Sequence, residues 1–245
     1  MSNADCVVKI SKPKVVTAAS TEALDQSLGS YVAGRLGEGV RARGGATVVL
    51  SGGSTPQGFF NNLAQADLPW PQIRVVPADE RWVARDHPDS NEGQLRKRFS
   101  KTALTNMVSL RGETENPDAE VDRLNKTLGF EHPIDLVVLG MGADGHTASL
   151  FPRAPQLKTG LNLSNQAACL VVDPPKAPHQ RISLSLTRLL NAREIIVHIT
   201  GKEKVAVIED AWLRADPEQT PISAVLHQQL SPVTVFCDRF VALEG

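Results

Sequence analysis

Six short runs rich in β-branched residues, Ala46–Leu50, Ile73–Val76, Ile134–Leu139, Ala168–Val172, Glu194–Thr200 and Val233–Cys237, are separated by longer polar stretches with helical spacing. No other feature narrows the choice of fold as far. Strands that alternate with helices predict a largely parallel sheet covered by crossover helices. The expected class is therefore α/β: a single domain over residues 1–245, three-layered α/β/α and Rossmann-like.

The clearest helix starts near Thr21, with Leu24, Leu28, Tyr31, Val32, Leu36 and Val40 on one face, and stops at Gly44-Gly45. Others are expected near Pro56, near Asn91 as a cap, near Pro117 with Val121, Leu124 and Leu128 inward, and near Lys202 with Val205, Ile208 and Trp212 inward. The stretch Phe151–Pro178 is rich in Pro, Asn and Gln, yet Cys169–Val172 inside it reads as a strand. It is expected to be an excursion over the sheet edge, not a linker.

Charge excludes some classes of partner. The 26 Lys and Arg nearly cancel the 27 Asp and Glu, for a net charge of −1, so no global field attracts nucleic acid or an anionic membrane. Any anion must be held by a local cluster. Cys6, Cys169 and Cys237 are odd in number and far apart, which predicts reduced thiols in a cytoplasmic protein and neither a disulfide framework nor a zinc knuckle. Met1 to Lys14 carries no apolar run of signal-peptide length, and no stretch reads as a membrane span.

The loops after the strands carry the chemistry. Ala46–Leu50 runs into Ser51-Gly52-Gly53-Ser54-Thr55-Pro56, where glycines permit close approach, hydroxyls donate, and a helix start offers N–H groups to a phosphate. A tight turn with a Ser or Thr cap fits this segment equally well. Ile73–Val76 leads into Pro77-Ala78-Asp79-Glu80-Arg81-Trp82 and then Asp86-His87-Pro88-Asp89-Ser90-Asn91. Arg81 suits a bidentate phosphate grip, or else an ion pair with Asp79 or Glu80.

Ile134–Leu139 delivers Gly140-Met141-Gly142-Ala143-Asp144-Gly145-His146-Thr147-Ala148-Ser149-Leu150-Phe151-Pro152. Its GxGxxG spacing suggests a dinucleotide site, but Pro152 cuts short the helix such a site needs, and Asp173 comes late for a ribose contact. The glycines instead bring His146 and backbone N–H groups to one small substrate. His87, His132, His179, His198 and His227 lack such company and are read as structural or merely exposed.

Glu194–Thr200 ends in Gly201-Lys202-Glu203-Lys204 at another helix start, and Arg181 precedes an alternating Ser-Leu run. Parallel strands place their carboxyl ends along one sheet edge, so four such loops together imply a small anionic ligand with a reactive carbonyl nearby.

These segments resemble the glucosamine-6-phosphate isomerase/6-phosphogluconolactonase family, and within it the lactonases. The resemblance runs from about residue 20 to the C-terminus and includes Arg181 and Thr200-Gly201…Lys204. It departs at Ala84, where Pro is common, at Glu92, where an aromatic is common, and at Arg153, where Gly usually follows the Phe-Pro pair. It implies the fold of glucosamine-6-phosphate deaminase and hydrolysis of 6-phospho-D-glucono-1,5-lactone to 6-phospho-D-gluconate in the pentose phosphate pathway, with no cofactor and no metal. The partner is the sugar-phosphate lactone, and no oligomeric state is implied.

Carried over by motif, His146 is the base that activates water and Asp144 orients its imidazole. Ser51, Gly52, Gly53, Ser54, Thr55, Asp79, Arg81, Gly142, Arg181 and Lys204 bind the substrate and its phosphate. A serine nucleophile at Ser54 or Ser149 is disfavoured, since neither sits in a GxSxG elbow. A deaminase would use Asp79 as base on a carbon-bound proton, but Arg81 and the Thr147–Pro152 stretch depart from that pattern.

Overall fold

The computed structural model describes residues 12–243. Strands β1 (Lys14–Thr17), β2 (Ala46–Leu50), β3 (Ile73–Pro77), β5 (Leu136–Leu139), β8 (Ile195–Ile199) and β9 (Val233–Cys237) form one sheet in the order β1-β9-β8-β5-β2-β3. Every neighbouring pair in it is parallel. Strands β4 (Asp79–Arg81), β7 (Arg181–Leu184) and β6 (Cys169–Val172) form a second, antiparallel sheet in the order β4-β7-β6.

The period of two along each strand divides the core into two layers. Leu136 and Val138 of β5 face one cluster, and Val137 and Leu139 face the other. The first is covered by helices α1 (Thr21–Arg43), α2 (Gln57–Ala64) and α3 (Asn91–Arg98), through Leu24, Leu28, Leu36, Phe59, Phe60 and Leu95. The second is covered by α4 (Pro117–Thr127), α5 (Leu157–Leu161), α6 (Leu186–Leu190), α7 (Lys202–Arg214) and α8 (Ile222–His227). Fully burying one Leu or Val side chain contributes roughly 1.5–3 kcal/mol. The three-layer expectation holds on this division.

Local signals explain the ends of α1. Ser20 Oγ accepts from the Ala23 N–H at 3.2 Å, and Gly44, at φ 75°, donates its N–H to the Val40 carbonyl. Tyr31 departs from the expected inward face. It is 38% exposed, because it lies over the sheet edge with its hydroxyl donating to Glu194 Oε1 at 2.7 Å.

Two further corrections concern placement. Ser90, not Asn91, caps α3, with Oγ accepting from the Gly93 N–H at 2.9 Å. Cys169–Val172 leaves the parallel sheet and pairs antiparallel with β7, so the Phe151–Pro178 excursion carries part of the second sheet. Ala78 ties the sheets together: its N–H donates to the Leu50 carbonyl and its own carbonyl accepts from Leu184, both at 2.9 Å.

Cys169 and Cys237 are buried free thiols, and Cys6 lies outside the described residues. Residues 1–11, most of the stretch read for a signal peptide, lie outside them as well. Among the described residues, no helix is long and apolar enough to cross a membrane.

Candidate active site

β2 and β5 are sheet neighbours, but the next strand of this sheet along the chain lies on opposite sides of them, β3 beside β2 and, after the passage through β6 and β7, β8 beside β5. Their following loops diverge and open a crevice at the carboxyl edge. A cavity of about 250 Å³ lies there, lined by Ser51, Gly52, Gly53, Ser54, Thr55, Asp79, Arg81, Gly142, His146 and Lys204, together with Asn91, Gly140, Met141 and Ala148.

The Ser51–Thr55 loop forms the first wall. A Cβ on Gly52 would stand 2.0 Å from Asn91 Oδ1, and Gly53 has φ +106°, so this path requires glycine. α2 follows with Pro56 at its N-cap, which offers no capping side chain, and the Asp25 carboxylate lies against Gly58 and the Phe59 N–H of its first turn. The Ser- or Thr-capped alternative is therefore absent, and the N–H groups of that turn not met by Asp25 remain for an anion. Lys204 closes the wall, its Nζ donating to Thr55 Oγ1 at 2.8 Å, and burial lowers its pKa from the ordinary lysine value.

β4 forms the second wall. Glu80 is 1% exposed, and its carboxylate accepts from the N–H groups of Arg81 (2.6 Å), Asn91 (2.8 Å) and Glu92 (2.7 Å) and from Ser90 Oγ (3.1 Å). Burial raises its pKa against the pull of those bonds. Glu80 thus fastens β4 to the start of α3 and does not pair with Arg81. Arg81 Nη1 donates to the Asp89 carbonyl, and its buried Nε has no partner among the described residues.

Arg181 stands directly opposite Arg81 in the β4–β7 register. It is 5% exposed, with Nε and Nη1 unpartnered among the described residues. Burial and then the charge of Arg81 lower its pKa, against Asp79, Asp89 and Glu80, which raise it. It does not line the cavity but backs Arg81 with a second positive charge. Asp79 is held at both oxygens, accepting from Ser149 Oγ at 2.5 Å and from Asn91 Nδ2 at 3.2 Å.

The Gly140–His146 loop forms the third wall. The Gly142 N–H donates to the His146 carbonyl at 2.9 Å and the Gly145 N–H to the Gly142 carbonyl at 3.0 Å, folding the loop back on itself. A Cβ on Gly142 would lie 2.2 Å from His146 Nδ1. His146 Nδ1 is 2.5 Å from Asp144 Oδ1, and the ring packs 4.2 Å from that of Phe151. Burial raises the Asp144 pKa, but bonding to His146 outweighs it and holds the carboxyl below its ordinary value. Asp144 lines a neighbouring cavity of about 620 Å³, and His146 forms the wall common to both.

The structure thus gathers ten of the twelve expected site residues around one cavity and sets Asp144 and Arg181 immediately behind two of them. Ser149 is fully buried on Asp79, away from any nucleophilic role. Asn91 was missed as a site residue. The signal lay in the adjacent Ser90-Asn91 pair, of which only one can cap α3. Arg153, at φ 65°, takes the left-handed backbone that explains a glycine preference there. Glu92 is fully buried, with Oε1 2.8 Å from Arg96 Nη2 and Oε2 accepting from Ser109 Oγ at 2.5 Å.

Residues 19–235 match the family described as glucosamine-6-phosphate isomerases/6-phosphogluconolactonase. The chain belongs to this family. It is 41% identical over 219 residues to the 6-phosphogluconolactonase of Pseudomonas putida, which covers 89% of this chain and 90% of the relative. The crystal structure of a 6-phosphogluconolactonase from Shewanella baltica is similar at a TM-score of 0.87 and 38% identity, covering 94% of this chain and 99% of that one. A monomeric glucosamine-6-phosphate deaminase, at a TM-score of 0.77 and 22% identity over 92% of this chain and 97% of that one, shares the fold. The family likeness thus covers every loop around the cavity.

Proposed function

We propose that this chain is a 6-phosphogluconolactonase, hydrolysing 6-phospho-D-glucono-1,5-lactone to 6-phospho-D-gluconate in the pentose phosphate pathway of the cytoplasm. The observation that carries the reading is the His146–Asp144 pair facing, across one small cavity, Arg81, Lys204 and the Ser51–Thr55 loop. The cationic side and the start of α2 hold the phosphate. This puts the lactone carbonyl toward His146.

In the proposed reaction, His146 Nε2 takes a proton from water as the water oxygen attacks the carbonyl carbon, and Asp144 holds Nδ1–H so that the free lone pair points at the substrate. The carbonyl oxygen becomes an oxyanion. With the Gly142 and Gly145 N–H groups engaged inside the loop, Met141, on the cavity wall, supplies the backbone donor. Collapse breaks the ring C–O bond, and the imidazolium returns its proton to the leaving ring oxygen. Placed acid–base help of this kind is worth roughly 10²–10⁴-fold in rate. Asp79, held by Ser149 and Asn91, acts as a positioning residue for the second wall and not as a base.

The test is acid release from freshly made 6-phosphogluconolactone, with the spontaneous rate subtracted, compared with unphosphorylated gluconolactone. Rapid turnover of the phosphorylated lactone alone supports the reading. Equal rates for both would remove the phosphate site, and no acceleration over the blank would remove the activity.

A further inference from the structure

The same β4–β7 pairing that sets Arg81 against Arg181 brings together two loops outside the cavity. One is the turn 82–90, closed by His87 N–H to the Ala84 carbonyl and Ser90 N–H to the His87 carbonyl, both at 3.0 Å. The other precedes β7 and is tied across by the Trp82 N–H to the Gln180 carbonyl at 2.8 Å. Where they meet, His87, Asp89 and His179 each offer one ligand atom, and these atoms all lie within 4.8 Å of one another. We propose that these three side chains form an accessory site for a divalent transition metal, of which Zn²⁺ is the natural probe.

The geometry is close to what such an ion requires. Ligands at about 2.0–2.1 Å from a tetrahedral metal stand about 3.3–3.5 Å apart. His179 Nε2 is 3.1 Å and His87 Nδ1 4.0 Å from Asp89 Oδ2, so changes of well under 1 Å bring each histidine into register with the carboxylate, and the two imidazoles, whose ligand atoms lie within 4.8 Å of each other, close on the ion by side-chain rotation. His87 Nδ1 already accepts the Asp89 N–H at 3.1 Å, so it presents a lone pair, which the metal takes in place of that proton. Two imidazoles and one carboxylate favour Zn²⁺, Ni²⁺ or Cu²⁺ over Mg²⁺ or Ca²⁺. His179 sits at φ 67°, a left-handed conformation uncommon for a non-glycine residue, and this backbone carries its ring to Asp89.

The three side chains are 41%, 47% and 30% exposed for His87, Asp89 and His179, so an ion can enter from solvent and keep water at its remaining position. The site is distinct from His146. It touches the phosphate wall at one point, since the Asp89 carbonyl accepts from Arg81. Its existence is independent of the lactonase reading.

Equilibrium dialysis of the untagged chain against ZnCl₂ tests it, with His179→Ala, His87→Ala and His146→Ala in parallel and thermal unfolding as a check on folding. One Zn²⁺ per chain is expected, retained in His146→Ala and at least tenfold weaker in both His87→Ala and His179→Ala while their thermal midpoints in metal-free buffer stay near that of the parent. No stoichiometric binding, or binding lost in His146→Ala and kept in the other two, overturns the proposal.

Discussion

The two sheets of this molecule are built on opposite terms. Along the parallel sheet, Leu136, Val137, Val138 and Leu139 are all buried among apolar neighbours. The antiparallel sheet holds Asp79, Glu80, Arg81 and Arg181 within two short strands, with guanidinium nitrogens left unpartnered among the described residues. Unpaired buried charge costs stability, so the small sheet persists because β6 pairs along β7 and the Ala78 bridge fastens the sheet to the large one. The contrast teaches where each task lies: the parallel sheet supplies rigidity, and the antiparallel sheet supplies the charge that the proposed function assigns to the phosphate.

Substitutions can break that division. Leu136→Ala, at a fully buried position in the middle of the parallel sheet, is expected to lower unfolding free energy by about 2–5 kcal/mol in urea melts. The KM of the folded fraction should not change. A large KM effect without loss of stability would blur the two roles.

The parallel sheet also buries a histidine. His198 in β8 is 1% exposed, and burial, followed by the charge of Lys204, lowers its pKa to about 4 from 6.5. Between those values the unfolded chain binds a proton that the folded chain refuses, so this contribution to stability is complete above pH 6.5 and lost as pH falls toward 4. The span corresponds to roughly 3 kcal/mol. Urea midpoints measured from pH 7 down to 4 should fall more steeply for the parent than for His198→Gln.

Arg181→Met probes the other sheet. Removing an unpaired buried guanidinium is expected to leave stability equal or higher, while weaker support for Arg81 raises KM for the phosphorylated lactone about tenfold, about 1.4 kcal/mol, with kcat nearly unchanged. The smallest effect is expected at Arg153→Gly. Relief of a left-handed φ of 65° should stabilise the chain by about 1 kcal/mol, read as a small rise in thermal midpoint.

The sheets also differ in how visible they were in sequence. β2, β3, β5, β8 and β9 stand out because burial on both faces demands continuous apolar runs. β4, of sequence Asp79-Glu80-Arg81, carries no such signature, because its strand character comes from pairing with β7 and its charges from the site. Likewise, the loops that line the cavity were legible from their glycines and hydroxyls, whereas the place of Asn91 depended on which neighbour capped α3. The turn that carries His87 and the loop that carries His179 meet only through strand pairing, which no local spacing reveals.

The central claim is that His146 performs the chemistry while the β4 wall and the Ser51–Thr55 loop hold the phosphate. Steady-state kinetics of His146→Ala and Arg81→Met on freshly made 6-phosphogluconolactone test it directly. The expected result is a split: kcat falls by about 10²–10⁴-fold with KM little changed in His146→Ala, and KM rises with kcat largely kept in Arg81→Met. Near-parent kcat in a folded His146→Ala variant would contradict the assignment.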